Sequence, residues 1–475
     1  MTKSTASNAL IPNNATSGKI NRLIVVVFFT VMVSAMSAWI YLPPSVYWVA
    51  VLSALCLALW ATGIVPEYWP AFLFFLVAML LELAPAESVF SGFHSPPYWL
   101  LFSGLILGIS MNHTGLGNRL AAILSRTAGS TYSGVITRIV FFGLALAFVV
   151  PSSIGRVVLL LAIVKSLAEH MGYKAGSNGQ TGMMIAATLG TCLPAFTILP
   201  ANGPNMVLAG MAESLYGIQL SYWDYLILHF PVLGLLKAGI LVLLILRVLP
   251  SEDPAARRSE LSVSGSMTVY EKQLSVVLGL CLLLWLTDRI HHISPGWIGL
   301  AAAVYCLVPF TGLTQKNCLN TEVKYGPLFF VAGIMGLGVV ISQSGLGQAI
   351  VEPLSEHLPF TADKSMWNLV SITGISMFVA AVTNLPGVPA IMSPLAENLS
   401  EATGFSITTI LMSQVLAFSN VLLLYQVPPV VAAIQIGNLP TWTVTKLCLV
   451  MFVIGLVVLM PLDLLWWRIL GMFDG

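Results

Sequence analysis

Four clusters of polar residues interrupt long apolar stretches of this sequence, and they are its clearest candidates for chemistry. Two clusters, 151–156 and 382–387, each lie between two apolar runs, and two more, 201–205 and 425–429, follow downstream. Serine, threonine, asparagine and glutamine side chains in such breaks offer oxygens to a cation and O–H or N–H donors to an anion. The candidate substrate-binding residues are Ser152, Ser153, Arg156, Asn202, Pro204, Asn205, Thr383, Asn384, Gln426 and Pro428.

A single cluster of this kind would more often be structural, because these side chains commonly cap or satisfy bent membrane helices. The four clusters here recur at corresponding places in two similar halves, and that recurrence favours a binding site. Helix N-termini at the breaks would attract an anion. The oxygens of Ser152, Ser153, Thr383 and Asn384 could hold Na⁺, although sodium dependence is not the expected mode. No other metal and no organic cofactor is expected.

Arg156 has the most specific chemistry among the candidates, since it follows the first cluster and precedes the apolar run VVLLLAIV. A charged side chain in a span is costly and should face a cavity or a partner. A guanidinium group can bind a carboxylate or sulfonate through two hydrogen bonds, so we predict that Arg156 contacts an anionic substrate. The structural alternative is an arginine that reaches a lipid headgroup or packs on a helix end.

Two further expectations concern ionisable groups within the membrane. Lys237, the other basic residue inside a span, has no break beside it and is expected to be structural. We expect no Asp or Glu in the core of any span, which argues against a proton relay built on a carboxylate.

The composition makes lipid the solvent for most of the chain. Of its 475 residues, 57% are hydrophobic and only 8% are charged, against about 25% charged residues in soluble domains. The fold class is therefore an all-α polytopic membrane protein, and the net charge of +1 does not suggest a nucleic-acid partner. The apolar runs predict about 11 transmembrane helices. They lie near 22–41, 45–63, 68–84, 98–118, 182–212, 223–249, 273–289, 294–311, 325–345, 407–436 and 441–469.

Two stretches, 132–170 and 366–400, are apolar at both ends and polar in the middle. We predict that each is a re-entrant hairpin with its polar tip inside the membrane, since irregular backbone cannot face lipid. The alternative for each stretch is a pair of complete crossings.

The chain divides into a polar tail (1–21), a first half (22–249), a polar linker (250–272) and a second half (273–475). The two halves contain similar segments, WLLFSGLILGISMNHTGLGNR and LFFVAGIMGLGVVISQSGLGQA. Basic residues collect on the side of the tail and linker, so the positive-inside rule places both in the cytoplasm and the C-terminus outside. The halves then form an inverted repeat in the inner membrane. Its first hairpin enters from the cytoplasm and its second from outside.

The cluster Pro151-Ser152-Ser153-Ile154-Gly155-Arg156 resembles a Pro-Ser-Asn-Thr-Ala-Arg hairpin tip of the divalent anion:sodium symporter family. That tip is typical of its citrate:succinate and oxoglutarate:malate exchanger branch. Asn202-Gly203-Pro204-Asn205 is similar to the break in the family's next helix, and the similarity covers residues 45–470. The resemblance implies transport of di- or tricarboxylates or sulfate, a homodimer, and an elevator-like domain that carries the hairpins.

The sequence departs from this family at groups that would bind sodium. Ser153 and Ile154 replace the Asn and Thr of the first tip, and the second tip, 383–386, has no Ser-Asn-Thr triplet. These changes remove oxygen ligands, so exchange is predicted rather than sodium symport. The predicted function is secondary transport of small organic anions. A cation- or proton-coupled antiporter or inorganic-ion permease is the alternative, and no clustered catalytic residues suggest an enzyme.

Overall fold

The computed structural model describes residues 43–127, 131–150, 152–254, 266–357, 360 and 365–473. Within these ranges the chain is helical and contains no β-strand, which confirms the all-α fold class. The predicted tail (1–21), the first predicted span (22–41) and Gly475 lie outside the described residues.

In the described part of the first half, α-helices alternate with short turns. They are α1 Pro44–Thr62, α2 Tyr68–Leu80, α3 Ala86–Val89, α4 Pro96–Thr114, α5 Leu116–Thr127, α6 Tyr132–Val149, α7 Ser153–His170, α8 Asn178–Cys192, α9 Gly203–Tyr216, α10 Tyr222–His229 and α11 Lys237–Val248. Short 3-10 helices lie at Ser91–His94, Pro194–Thr197 and Leu199–Ala201, and a π-helix at Phe230–Leu236 joins α10 to α11.

The second half follows a similar order. Its α-helices are α12 Val269–Leu286, α13 Asp288–His291, α14 Pro295–Leu307, α15 Cys318–Thr321, α16 Gly326–Gln343, α17 Leu346–His357, α18 Ser365–Val382, α19 Gly387–Met392, α20 Ala396–Thr403, α21 Ile407–Phe418, α22 Pro428–Gly437, α23 Thr441–Ile454 and α24 Met460–Ile469. Short 3-10 helices lie at Ser393–Leu395 and Leu424–Gln426, and a π-helix at Gly455–Leu459 joins α23 to α24.

Several helices of the described chain are long and apolar enough to cross a membrane. Five segments meet this condition: Tyr132–Val149, Tyr222–Val248, Val269–Leu286, Gly326–Gln343 and Thr441–Ile469. Shorter apolar helices accompany them, which fits a multi-pass protein whose spans include interrupted helices. The number of 11 spans stays a prediction.

Helices from the two halves pack against each other in a reciprocal way. Helix α14 of the second half lies along α4 of the first, and α2 of the first half lies along α16 of the second. Both contacts depend on small residues. A Cβ atom added to Gly299 would lie 2.9 Å from Leu100 Cδ1, and one added to Gly333 would lie 2.4 Å from Ala71 Cβ. Such close helix contacts stabilise membrane proteins through packing and not through water exclusion.

The predicted hairpin stretches fold as pairs of helices that pack against the interrupted helices downstream. Helices α6 and α7 both pack on α8, and α18 and α19 both pack on α21. Polar residues of two sequence clusters cap the helices that follow them. Ser152 is the N-cap of α7, and Asn202 is the N-cap of α9.

Candidate functional site

The described residues between α6 and α7 and at the start of α7, which we call tip 1 (150, 152 and 153), contact the interruption between α8 and α9, which we call break 1 (193–202). The Ser152 hydroxyl accepts a hydrogen bond from Gly155 N at 3.2 Å. The Ser153 hydroxyl donates to Ala201 O at 2.9 Å. Both serines are partly exposed.

Arg156 joins tip 1 to break 1 from a fully buried position, with 0% of the residue exposed. Its Nη1 donates to Val150 O and to Ala201 O, the latter at 3.1 Å, while Nε donates to Thr191 Oγ1 at 3.3 Å. Its Nη2 donates to Ser153 Oγ at 3.3 Å and to Thr191 O at 3.4 Å. The guanidinium group is therefore engaged with the protein in this structure. Its contact with a substrate stays a prediction.

The two asparagines of the Asn-Gly-Pro-Asn segment organise the start of α9. Asn202 Oδ1 accepts from Asn205 N at 3.2 Å, and Asn202 Nδ2 donates to Ala195 O at 3.1 Å. The buried Asn205 donates through Nδ2 to Phe196 O and Ile198 O at 3.1 and 2.9 Å. Asn205 Oδ1 is buried and has no hydrogen-bond partner among the described residues. This oxygen is thus free to accept a bond or to ligate a cation.

The end of α18 and the turn that follows it, which we call tip 2 (380–386), contain the predicted residues Thr383 and Asn384. The Thr383 hydroxyl donates to Val379 O at 2.7 Å, one helical turn back. Asn384 Oδ1 accepts from Gly387 N at 2.9 Å and so begins α19. Both side chains therefore shape the turn, and Asn384 is only partly buried.

Gln426 joins tip 2 to the interruption between α21 and α22, which we call break 2 (419–427). Its side chain is buried, and Oε1 accepts from Leu422 N and Leu423 N at 2.9 and 2.8 Å. Its Nε2 donates to Ala380 O at 2.7 Å, near the end of α18. The hydroxyl of the neighbouring Tyr425 donates to Ala381 O, also near the end of α18. Tyr425 is not among the candidate residues drawn from the sequence, although it belongs to the cluster 425–429.

The structure brings the two tip–break pairs next to each other. Helix α22, which begins at Pro428, packs on α7, which begins at tip 1. Helix α9, which has Pro204 in its first turn, packs on α19, which begins at tip 2. Helix N-termini carry partial positive charge, and the contacts of the tips and breaks described above include no acidic side chain. Together with the Arg156 charge, this arrangement suits a small anion.

The expectation of no acidic residue in a span core is wrong. Asp463 lies within the span segment Thr441–Ile469 and is 0% exposed, with its Oδ2 atom 3.9 Å from Nδ1 of the equally buried His229. The sequence misleads here because Asp463 is followed closely by Trp466, Trp467 and Arg468, residues typical of a membrane interface. The length of the segment could have indicated that Asp463 is inside a span, since its 29 residues exceed the ~20 needed to cross a membrane.

A separate cavity of about 270 Å³ touches break 1 at Leu199, but its lining includes none of the candidate residues of the tips and breaks. Glu213, Asp224 and Asp288 are among its lining residues, together with Arg289. Asp224 pairs with Arg289, and Asp288 accepts hydrogen bonds from the Ser221 hydroxyl at 3.0 Å and from Tyr222 N at 2.5 Å. Three carboxylates against one guanidinium group make this cavity unsuited to a dianion.

Comparison with known proteins shows the class of protein to which the chain belongs. The family model described as the sodium:sulfate symporter transmembrane region matches residues 17–473. The protein is therefore a membrane transporter of anions and not an enzyme, as the sequence predicts. It belongs to this family, which is the divalent anion:sodium symporter family that its hairpin tip resembles.

The individual relatives described next are only 23% and 25% identical to this chain. The chain is 23% identical to the L-tartrate/succinate antiporter of Escherichia coli strain K12 over 392 residues, 79% of each chain. It is 25% identical over 275 residues to a membrane protein of Cupriavidus necator, a match that covers 56% of this chain and 53% of that protein. Among solved structures, the Alcanivorax borkumensis YdaH transporter has a TM-score of 0.49 and 14% identity, covering 90% of this chain and 99% of that one.

Proposed function

We propose that this protein is an antiporter that exchanges small dicarboxylates of the tartrate and succinate type across the cytoplasmic membrane. The observation that carries the proposal is the pair of tip–break contacts. There helix N-termini lie near the Arg156 charge, and the contacts described above include no acidic side chain. A relative named as an L-tartrate/succinate antiporter, matched over 79% of this chain, supports the choice of substrate.

The proposed roles of the site residues follow from their contacts. Ser152, Asn202 and Asn384 are partly exposed at helix starts and would present polar atoms to the substrate carboxylates. Arg156 would position tip 1 through its hydrogen bonds, and its positive charge would compensate the negative charge of the substrate carboxylates. Asn205 Oδ1, in the first turn of α9, has no hydrogen-bond partner among the described residues and would accept from a substrate hydroxyl or hold a cation.

We predict exchange with little dependence on sodium. The buried guanidinium group brings positive charge that a sodium ion would otherwise supply to a dianion site, which weakens the electrostatic need for the cation. In proteoliposomes, uptake of labelled succinate should rise at least ~10-fold when unlabelled succinate is loaded inside, and change less than ~2-fold when choline replaces sodium.

The opposite pattern would contradict this proposal: steep sodium dependence with no acceleration by internal succinate. Competition by sulfate and not by L-tartrate or succinate would instead favour an inorganic-ion permease.

We further propose that the halves 22–249 and 273–475 form an inverted repeat, with 132–170 and 366–400 as re-entrant hairpins in a moving, elevator-like domain of a homodimer. Their similar order of helices and the π-helix in the last span of each half support this proposal. The predicted topology places the linker inside the cell and the C-terminus outside.

Cysteine labelling tests that topology, with little background expected because all six native cysteines are buried. An impermeant maleimide should label Gly475→Cys in intact cells, and should label Ser264→Cys only after permeabilisation. The reverse pattern would overturn the assigned orientation.

A further inference from the structure

Three ionisable side chains from different helices are buried close to one another, near the start of break 2. They are His229 at the end of α10, Lys237 at the start of α11 and Asp463 in α24, and none is more than 2% exposed. His229 and Lys237 flank the π-helix Phe230–Leu236, while Asp463 follows the π-helix Gly455–Leu459. Wide π-helical turns inside a helix are frequent at functional sites.

The polar side-chain atoms of His229 and Asp463 have no hydrogen-bond partner among the described residues. His229 Nδ1 lies 3.9 Å from Asp463 Oδ2, which is too long for a hydrogen bond. Both ring nitrogens of His229, both carboxylate oxygens of Asp463 and Trp467 Nε1 are buried and lack a partner among the described residues. Unpaired buried groups of this kind are costly, and their presence in a span indicates a site for a proton or a small polar ligand.

Aromatic rings enclose the imidazole. The ring of Tyr225 lies 4.8 Å from the His229 ring, and the ring of Trp467 lies 5.6 Å away. The Tyr225 hydroxyl, the further titratable group that touches this point, points elsewhere and donates to Phe196 O at 2.9 Å. In the state with Lys237 protonated, Asp463 ionised and His229 neutral, the group has no net charge. One added proton makes it +1.

The group is connected to the proposed anion site through Lys237. Its Nζ atom donates to Ser419 O at 2.6 Å, at the residue where break 2 begins. The next residue, Asn420, donates through Nδ2 to Phe452 O at 3.3 Å, in α23. Break 2 then continues to Gln426, which holds tip 2. A change of charge near Lys237 therefore acts on the backbone that positions tip 2.

We propose that His229, Asp463 and Lys237 form an intramembrane proton-binding site whose occupancy controls anion exchange through break 2. The proton adds to an unpaired ring nitrogen of His229 and forms an N–H bond beside the Asp463 carboxylate, and no bond is broken. The charge of the imidazolium then competes with Lys237 for Asp463 and alters the Lys237–Ser419 contact. The control of exchange rests on the proposed function, whereas the proton site itself does not.

The proton site is tested without any substrate. In protein labelled with ¹³C,¹⁵N-histidine, the proposal predicts that the ring resonance lost in His229→Gln changes its chemical shift when the pH is varied from about 5.5 to 8. His113→Gln, at an exposed residue of α4, is the matched control that identifies a different resonance. A His229 resonance that stays fixed over this range would overturn the proton site.

Control of exchange is tested with succinate-loaded proteoliposomes at equal pH on both sides. The rate of succinate exchange should change at least ~5-fold over that pH range in wild-type protein and in His113→Gln, which is a typical allosteric coupling. In His229→Gln and in Lys237→Gln the rate should change less than ~1.5-fold. A wild-type pH profile in His229→Gln, or in Lys237→Gln, would overturn the coupling through break 2. If wild-type protein moves no succinate, the proposed substrate is wrong and the resonance measurement alone decides the proton site.

Discussion

Replacing Arg156 by lysine should lower the rate of succinate exchange at least ~10-fold and also lower the thermal midpoint of unfolding. The lysine ammonium keeps the charge but cannot reproduce the planar fork that bonds Val150 O, Ala201 O and both oxygens of Thr191. Each buried carbonyl left unpaired costs about 1–3 kcal/mol, and tip 1 would separate from break 1. Exchange assays and thermal unfolding of the same preparations measure both effects.

The matched control is Arg138→Lys, an exposed arginine in α6 of the same predicted hairpin, which should behave as wild type. The two readouts also separate the roles considered for Arg156. A raised KM for succinate with an unchanged thermal midpoint would assign direct contact with the substrate. Wild-type exchange and stability in Arg156→Lys would contradict the positioning role.

Replacing Gln426 by glutamate should reduce exchange at least ~10-fold, although the side chain keeps its size. The new carboxylate can still accept from Leu422 N and Leu423 N, but it cannot donate to Ala380 O, which lies 2.7 Å from the present amide nitrogen. A carboxylate oxygen facing a carbonyl oxygen is repelled, so break 2 should release the end of α18. Initial rates of succinate exchange measure the loss.

Gln315→Glu adds the same charge at an exposed residue outside the site and serves as the control. Gln426→Leu removes the donor without adding charge and should also be impaired. If Gln426→Glu and Gln426→Leu both exchange succinate at the wild-type rate, the contact between break 2 and tip 2 does not matter for transport.

Much of the site could be predicted from sequence because interrupted membrane helices need polar residues at their ends. Ser152 and Asn202 are at helix N-caps as such residues usually are, and their clusters mark the places where helices stop. The all-helical fold follows from the apolar composition, since backbone groups in lipid must be bonded within the chain.

The partners of buried side chains could not be predicted in this way. The sequence suggests that the Arg156 fork is free for a substrate, whereas the fold places Thr191 and Ala201 around it. The sequence around Asp463 is typical of a membrane interface. In the structure, α24 packs against the π-helix between α10 and α11, and Asp463 is buried beside His229. Contacts between residues more than 200 positions apart leave no local signal.

The most direct measurement is the position of bound L-tartrate in an electron cryo-microscopy map of the full-length protein in nanodiscs. The account predicts density between the starts of α7, α9, α19 and α22, within hydrogen-bond distance of Ser152 and Asn202. Density in the cavity lined by Asp224 and Asp288, or a site filled only by sulfate at matched concentrations, would contradict it.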